Sequence, residues 1–125
     1  MKAGVDVGGT KIQTVVLRDE QVVGSARTET PRTGDAADVI EAIVSTIREA
    51  QDGTGDVDGI GIGSPGDIDA ETGTVSLAAN VPGFEGRVEL GPRVSAQLGG
   101  VPVAVGNDVS VAVLGTWQRG DARPY

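Results

Sequence analysis

The beginning of the chain alternates short apolar runs with polar turns, which is the pattern of β-strands. Val, Ile and Ala dominate these runs, and each run ends at glycines or at charged residues. The predicted strands are Ala3–Val7, Ile12–Leu17 and Gln21–Thr28, separated by Gly8-Gly9 and by Arg18-Asp19-Glu20. Because the turns between consecutive runs are short, we expect the three strands to form an antiparallel meander.

After Thr30-Pro31 the apolar residues change to the spacing of a helix. The residues that would share one helical face are Val39, Ile40, Ile43, Val44 and Ile47. Acidic residues lie early in this segment and Arg48 lies late, so the charges match the helix dipole. We therefore predict a helix from about Ala36 to Ala50, ending at Asp52-Gly53.

The rest of the chain predicts two more strands, two more helices and a long loop. Residues 57–64, which include Gly-Ile-Gly-Ile-Gly, predict a buried strand, and Pro65 to Gly86 predicts a loop with a short strand near Val75–Leu77. The remaining predicted elements are a helix over Arg87–Leu98, a strand over Val101–Val105 and a helix from Asn107 to about Trp117. A loop this long inside one domain usually has a function.

The order of these elements predicts the fold class. A helix that connects two strands of one sheet places those strands parallel, so the fourth strand should run parallel to the first. We predict an α/β domain of the actin-like ATPase (ribonuclease H-like) architecture, a mixed sheet of about five strands in the order 3-2-1-4-5 with flanking helices. In that order the carboxyl ends of strands one, four and five meet at one edge, where open α/β sheets bind ligands.

Composition and charge limit the chemistry that is available. The chain has 125 residues, the size of one domain, and its Cys and His counts are both 0. Disulfides, zinc sites of thiolates or imidazoles and catalysis by histidine are therefore excluded. The net charge of −8 disfavours nucleic acids and anionic membranes as partners. Neither a signal peptide nor an apolar stretch of roughly 20 residues is visible, so a cytoplasmic location is expected.

The segment from Asp6 to Lys11, Asp-Val-Gly-Gly-Thr-Lys, has the composition of a phosphate-binding turn. Gly8 and Gly9 allow backbone N–H groups to approach phosphate oxygens closely, and Thr10 and Lys11 add a hydroxyl donor and a positive charge. Asp6 fits beside phosphates only with a cation between them, most simply Mg²⁺ held through water. The alternative is a tight hairpin turn with solvated side chains.

Two further segments contain glycine or asparagine at turns. Residues 61–66, Gly-Ile-Gly-Ser-Pro-Gly, have the spacing of a dinucleotide fingerprint, but no helix is predicted after them, so we reject NAD binding. Residues 80–84, Asn-Val-Pro-Gly-Phe, predict a turn. Either this is a turn and nothing more, or it presents the Asn80 amide to a polyhydroxy ligand.

An asparagine and an aspartate follow the last predicted strand, where a helix is expected to begin. Taken alone, Asn107-Asp108 fits a helix N-cap. In the predicted topology, however, Asp6 and Asp108 lie at strand ends across one cleft. Asp6 would then face a phosphate-type turn, and Asp108 would stand beside an amide suited to a sugar.

Together these segments resemble the ROK family, which comprises repressors, open-reading-frame proteins and sugar kinases. The matching residues are 6–11, 61–66, 80–84 and 107–108, in the order and spacing of that family. The resemblance covers essentially the whole chain. It implies an ATP-dependent hexose kinase of the glucokinase type with an actin-like fold, using Mg²⁺ with ATP or, alternatively, a polyphosphate donor.

The resemblance also implies a role for each matching residue. Phosphate would be bound by Gly8, Gly9, Thr10 and Lys11, the sugar by Gly66, Asn80 and Asn107, and Mg²⁺ by Asp6 through water. Asp108 would be the catalytic base, placed against the acceptor hydroxyl. A carboxylate is a weak base for an alcohol, but it suffices where proton transfer is late and it also orients the nucleophile.

The motifs of the family's second lobe, a Gly-Thr-Gly phosphate motif and a zinc site among them, have no match in this sequence. Residues 1–125 are therefore expected to form the N-terminal lobe, with the C-terminal lobe absent, no zinc site and little kinase activity in isolation. The expected partners are a hexose, ATP and the missing lobe, and the oligomeric state is left open, a homo-oligomer included. The alternative function is a sugar-responsive, non-enzymatic regulator domain of the same family.

Overall fold

Two helices and a large mixed sheet dominate the part of the chain that the structure, a computed structural model, describes, residues 1–107. In chain order the elements are β1 (Lys2–Val7), β2 (Lys11–Arg18), β3 (Gln21–Glu29), α1 (Ala36–Gln51), β4 (Gly59–Gly63), β5 (Asp67–Asp69), β6 (Thr74–Ser76), α2 (Leu90–Gln97) and β7 (Val103–Gly106). The predicted helix from Asn107 to about Trp117 lies, apart from its first residue, outside the described residues.

The main sheet has five strands in the order β3-β2-β1-β4-β7. β2 is antiparallel to both β1 and β3, whereas β4 is parallel to β1 and to β7. The predicted mixed sheet is therefore confirmed, with the antiparallel meander on one side and the parallel strands on the other. The fifth predicted strand is the seventh in the chain because β5 and β6 form a separate two-stranded sheet.

That separate hairpin lies in the segment predicted as a long loop, and its second strand overlaps the short strand predicted near Val75–Leu77. Gly73, at φ 71°, turns the chain between β5 and β6, and its N–H donates to the Asp69 carbonyl at 2.8 Å. The Asp69 carboxylate accepts hydrogen bonds from the Glu71 and Thr72 N–H groups. The first strand, β5, was not predicted, because its three residues are too few to show an alternating pattern in the sequence.

The second helix also begins later than predicted, at Leu90 instead of Arg87. Val88 exchanges two backbone hydrogen bonds with Val75, at 2.7 and 2.9 Å, and thereby extends the small sheet. A residue paired in this way cannot join a helix, so tertiary pairing overrides the apolar spacing that predicted a longer helix. The first helix, in contrast, occupies the predicted segment, with the Asp35 carboxylate capping the Ala37 N–H at 2.9 Å.

The core lies between α1 and one face of the main sheet. Its fully buried side chains include Ile12 and Ile62 from strands and Ile40, Ile43 and Ile47 from α1. Full burial of an aliphatic side chain of this size contributes about 1.5–3 kcal/mol. The core is therefore built mainly from aliphatic residues, with Phe84 fully buried among them. Neither α1 nor α2 has the length and apolar character needed to cross a lipid bilayer.

We expect Thr14→Val to raise the free energy of unfolding by about 1 kcal/mol. The Thr14 hydroxyl is buried in β2 with no hydrogen-bond partner among the described residues, and valine keeps the shape while removing the unpaired group. The matched control is Thr46→Val, because the buried Thr46 hydroxyl donates to the Ala42 carbonyl at 2.6 Å. Urea unfolding should show a gain for Thr14→Val alone, and an equal change in both variants would contradict the explanation.

Candidate functional site

The carboxyl ends of three neighbouring strands meet at one edge of the main sheet, as the topology predicted. Asp6 of β1 pairs with Gly63 of β4, and Gly63 pairs with Gly106 of β7. The next hydrogen bond along this edge runs from the Ser64 N–H to the Gly106 carbonyl, at 2.9 Å. The predicted functional residues that follow β1, β4 and β7 therefore all begin at this one edge of the sheet.

The turn between β1 and β2 is fastened at both ends. The Gly8 N–H donates to the Lys11 carbonyl at 2.9 Å, which closes the turn on itself. Thr30, which follows β3, donates its N–H to the Thr10 carbonyl at 2.9 Å and its hydroxyl to the Gly8 carbonyl at 2.7 Å. The Thr10 and Lys11 side chains are exposed, so the turn holds its backbone fixed and leaves these groups accessible.

Thr30 is a positioning residue that the sequence did not single out. Its side chain is buried, and both of its hydrogen bonds go to the turn. The one local signal is the proline that follows it, since a residue before proline is held in an extended conformation. That signal predicts the backbone of Thr30 but not the carbonyl groups that it contacts.

The same turn touches the segment that carries Asn80. A Cβ atom at Gly9 would overlap the backbone carbonyl oxygen of Asn80. Only glycine permits this approach, because any other residue would force the two backbones apart. The predicted phosphate turn and the predicted sugar-binding asparagine are therefore direct neighbours.

The segment that presents Asn80 is itself well anchored. The Ala78 N–H donates to the Phe84 carbonyl at 2.9 Å, and within this loop Val81 and Phe84 donate to the carbonyls of Ala78 and Val81, both at 3.0 Å. Phe84 and Val81 are fully buried, whereas Asn80 is exposed. Two consecutive turns, fixed by the buried Phe84 side chain, thus hold the Asn80 amide at the surface.

Gly83 fixes this loop against the start of α1. It has φ 90°, and a Cβ atom there would lie 2.6 Å from the Ala36 nitrogen. The loop therefore rests on the first turn of the helix. This contact explains the glycine that follows Pro82 in the predicted turn.

Gly66 and Asn107, two of the residues predicted to bind sugar, contact each other. The Asn107 side-chain nitrogen Nδ2 donates to the Gly66 carbonyl at 2.7 Å. Gly66 has φ 101°, and a Cβ atom there would lie 2.6 Å from the Ser76 carbonyl oxygen. The hydrogen bond orients the Asn107 amide and leaves its oxygen as an acceptor for a ligand. A strand, β5, follows Gly66, so the helix that a dinucleotide site requires is absent at this point.

Asp6 is the residue at this edge that the sequence predicted to hold Mg²⁺ through water. Asp6 is exposed at the end of β1. Within residues 1–107 no group of three or more metal-ligating side chains exists. Mg²⁺ commonly binds through one or two carboxylates, several waters and substrate phosphates, so the exposed Asp6 carboxylate is a group that could hold it through water.

The opposite end of the sheet has a different role. The carboxylate of Asp58, just before β4, forms salt bridges with the Lys2 ammonium at 3.1 Å and with the amino terminus at 3.5 Å. The hydrogen bond from Lys2 is the main cause that lowers the pKa of the Asp58 carboxyl. These contacts join the amino ends of β1 and β4, far from the edge where the candidate site lies.

Asp108, the predicted base, lies outside the described residues and directly follows Asn107.

A mixed sheet of this order, with a glycine turn between its first two strands, defines a lobe of the actin-like ATPase fold. The chain belongs to the ROK family, whose family model matches residues 2–123. The resemblance seen in the sequence is thereby confirmed.

Relatives and solved structures agree with this assignment. The glucokinase of Streptomyces coelicolor is 34% identical over 98% of this chain, and the N-acetyl-D-glucosamine kinase of Photobacterium profundum is 36% identical over 91% of it. A ROK family glucokinase from Streptomyces griseus, solved in complex with glucose and AMPPNP, superposes with a TM-score of 0.73 at 32% identity over 95% of this chain. The chain spans 37% of the length of each of the two curated relatives and 36% of the solved chain.

Proposed function

We propose that this chain is the N-terminal lobe of an ATP-dependent hexose kinase of the glucokinase type. The observation that carries the proposal is the backbone contact between Gly9 and Asn80. It sets a phosphate-type turn directly beside an exposed amide suited to sugar hydroxyls. Relatives named as glucokinase and N-acetyl-D-glucosamine kinase support a hexose as acceptor.

The turn is suited to hold the phosphates of the donor. The Gly8 N–H is taken by the Lys11 carbonyl, so the exposed Thr10 hydroxyl and Lys11 ammonium are the side chains available to phosphate oxygens. Thr30 holds the turn in place, so little conformational freedom is lost when the donor binds. Asp6 would hold Mg²⁺ through water, and the metal would supply neutralisation of the charge on the donor phosphates.

The amides at the same edge are suited to hold the acceptor. Asn80 would exchange hydrogen bonds with sugar hydroxyls, and the Asn107 oxygen, oriented by the bond to Gly66, would accept one more. Asp108 would accept the proton of the attacking sugar hydroxyl while the hydroxyl oxygen bonds to the terminal phosphorus. The bond from that phosphorus to the bridging oxygen breaks at the same time, and its electron pair leaves with the shortened donor. Phosphoryl transfer depends mainly on such positioning and on charge neutralisation, so no histidine is required.

The proposal is tested by a phosphorylation panel on the full-length protein that contains this lobe. Glucose and N-acetylglucosamine are offered with MgATP or with magnesium polyphosphate, and sugar phosphate is measured directly. We expect turnover of at least one hexose at an ordinary kinase rate, on the order of 10 per second. Residues 1–125 alone should show little turnover. Absence of phosphorylation of either sugar with both donors would contradict the proposal and favour a regulator domain.

A further inference from the structure

The dipeptide Asp-Gly occurs twice in the sequence, at Asp52-Gly53 and at Asp58-Gly59. In this pair the backbone nitrogen of the glycine can attack the carboxyl carbon of the aspartate, because glycine has no side chain to hinder the approach. The attack closes a five-membered ring and needs no enzyme. The structure places the two copies in opposite surroundings, so their reactivities should differ.

Asp52-Gly53 lies in the exposed turn that follows α1. The Asp52 carboxylate forms neither an ion pair nor a side-chain hydrogen bond with any residue in the range 1–107. The Gly53 N–H donates no hydrogen bond to this part of the chain either. Both reacting groups are therefore available without any contact having to break first.

The backbone of this turn also has room to rearrange. Ring closure requires Asp52 to rotate from its ψ of 125°, which carries the Gly53 nitrogen toward the side chain. Gly53 has φ 76°, and a Cβ atom there would meet nothing within 4 Å. No packed neighbour therefore opposes the rotation, and solvent water can reach the ring that forms.

Asp58-Gly59, in contrast, is fixed by the sheet. The Asp58 carboxylate is engaged by the Lys2 ammonium and the amino terminus, and the Asp58 N–H donates to the Met1 carbonyl at 2.9 Å. Gly59 is buried as the first residue of β4, and a Cβ atom there would lie 3.0 Å from the Lys2 side chain. This pair can react only after the amino ends of β1 and β4 separate locally, and such an opening costs free energy.

We propose that Asp52-Gly53 is a site of spontaneous isomerisation to isoaspartate and that the fold protects Asp58-Gly59 from the same reaction. The Gly53 nitrogen bonds to Cγ of the protonated Asp52 carboxyl group, and the proton of the nitrogen and the hydroxyl of Cγ leave together as one water. Water then adds to one ring carbonyl, the C–N bond at that carbonyl breaks, and the nitrogen regains a proton. Opening at the side-chain carbonyl restores aspartate, and opening at the main-chain carbonyl yields isoaspartate, so no atom or electron is gained or lost overall.

Isoaspartate would disturb the end of α1, because it adds one carbon to the main chain between Gln51 and Thr54. The Thr54 N–H and hydroxyl both donate to the Gln51 carbonyl, at 2.9 and 2.6 Å, and Arg18 of β2 donates to the Thr54 carbonyl. The longer main chain no longer fits these contacts. Isomerisation should therefore loosen the turn from both α1 and β2 and lower the free energy of unfolding.

The proposal is tested by ageing the 125-residue chain in H₂¹⁸O at mildly acidic pH and physiological temperature. Hydrolysis of the ring inserts one ¹⁸O atom, and isoaspartate peptides, which have the mass of the aspartate form, are identified by their retention against synthetic standards. We expect label and isoaspartate to accumulate at Asp52 at least about tenfold faster than at Asp58, since even a small opening free energy slows the protected pair by that factor. Equal rates at the two sites would overturn the proposal.

Ageing the chain in concentrated urea supplies the matched control. Once the fold is lost, the two Asp-Gly pairs should react at similar rates, because the dipeptide is the same. Lys2→Met removes the main partner of the Asp58 carboxylate and should raise the rate at Asp58 in the folded chain while leaving that at Asp52 unchanged. A difference between the two sites that persists in urea would show that local sequence, and not the fold, causes it.

The structural consequence is measured with Asp52→Glu, in which the same attack would have to close a six-membered ring and is much slower. The aged unaltered chain should unfold at a lower urea concentration than the fresh chain, whereas aged Asp52→Glu should match its fresh counterpart. Equal losses in the two proteins would contradict the effect assigned to the isomerised turn. Isoaspartate without ¹⁸O, or none at Asp52 in the folded chain, would overturn the proposal itself.

Discussion

Asp108→Asn is expected to lower the kcat of sugar phosphorylation by about a thousandfold in the full-length protein. The amide keeps the size and shape of the carboxylate but cannot accept the proton of the attacking hydroxyl. Because an amide still forms hydrogen bonds with hydroxyl groups, the dissociation constant for the sugar should change only a few-fold. Steady-state kinetics with MgATP give kcat, and a titration with sugar alone gives the affinity.

The control for this substitution is Asp19→Asn. Asp19 lies in the turn between β2 and β3, away from the site, with φ 49°, a conformation that asparagine adopts readily. It removes one carboxylate without touching the proposed cleft and should leave kcat unchanged. Near-normal activity of Asp108→Asn would show that another group accepts the proton.

Gly9→Ala is expected to lower phosphoryl transfer by about a hundredfold, the effect of a displacement of about 1 Å in a reacting geometry. The added methyl group would overlap the Asn80 carbonyl, so the turn and the Asn80 loop must separate. The turn and the Asn80 loop, to which we assign the donor and the acceptor, would then no longer be in contact. We expect kcat to fall and the KM values for both sugar and donor to rise.

Gly86→Ala is the matched control for that effect. Gly86 lies just beyond the Asn80 loop, and a Cβ atom there would meet nothing within 4 Å. The same chemical change should therefore leave both KM values and kcat near those of the unaltered protein. If the two alanine variants behave alike, the contact between the turn and Asn80 does not position the reactants.

The fold could be predicted to a large extent from local patterns. The meander and α1 have long runs with a clear period, so their existence and their positions followed from the sequence. The order of the sheet then followed from short connections and from the helical crossover between β3 and β4. Of the hairpin, β6 overlaps the short strand predicted near Val75–Leu77, whereas β5 was missed, because a strand of three residues carries too little pattern.

The candidate site could be predicted residue by residue but not as an arrangement. The glycines, amides and carboxylates at strand ends stand out in the sequence because their chemistry is unusual there. Their contacts do not, since Thr30 reaches Gly8 across 22 positions and Asn107 reaches Gly66 across 41.

The sequence by itself thus determined the family, the strand order and the residue types at the edge of the sheet, because these depend on periodicity and on short motifs. The tertiary structure alone decided which groups meet: the Gly9 turn contacts Asn80, and Thr30 forms its hydrogen bonds with that turn. The physical reason is that close backbone approach and hydrogen bonding between distant segments depend on the packing of the whole domain. No local pattern along the chain records that packing.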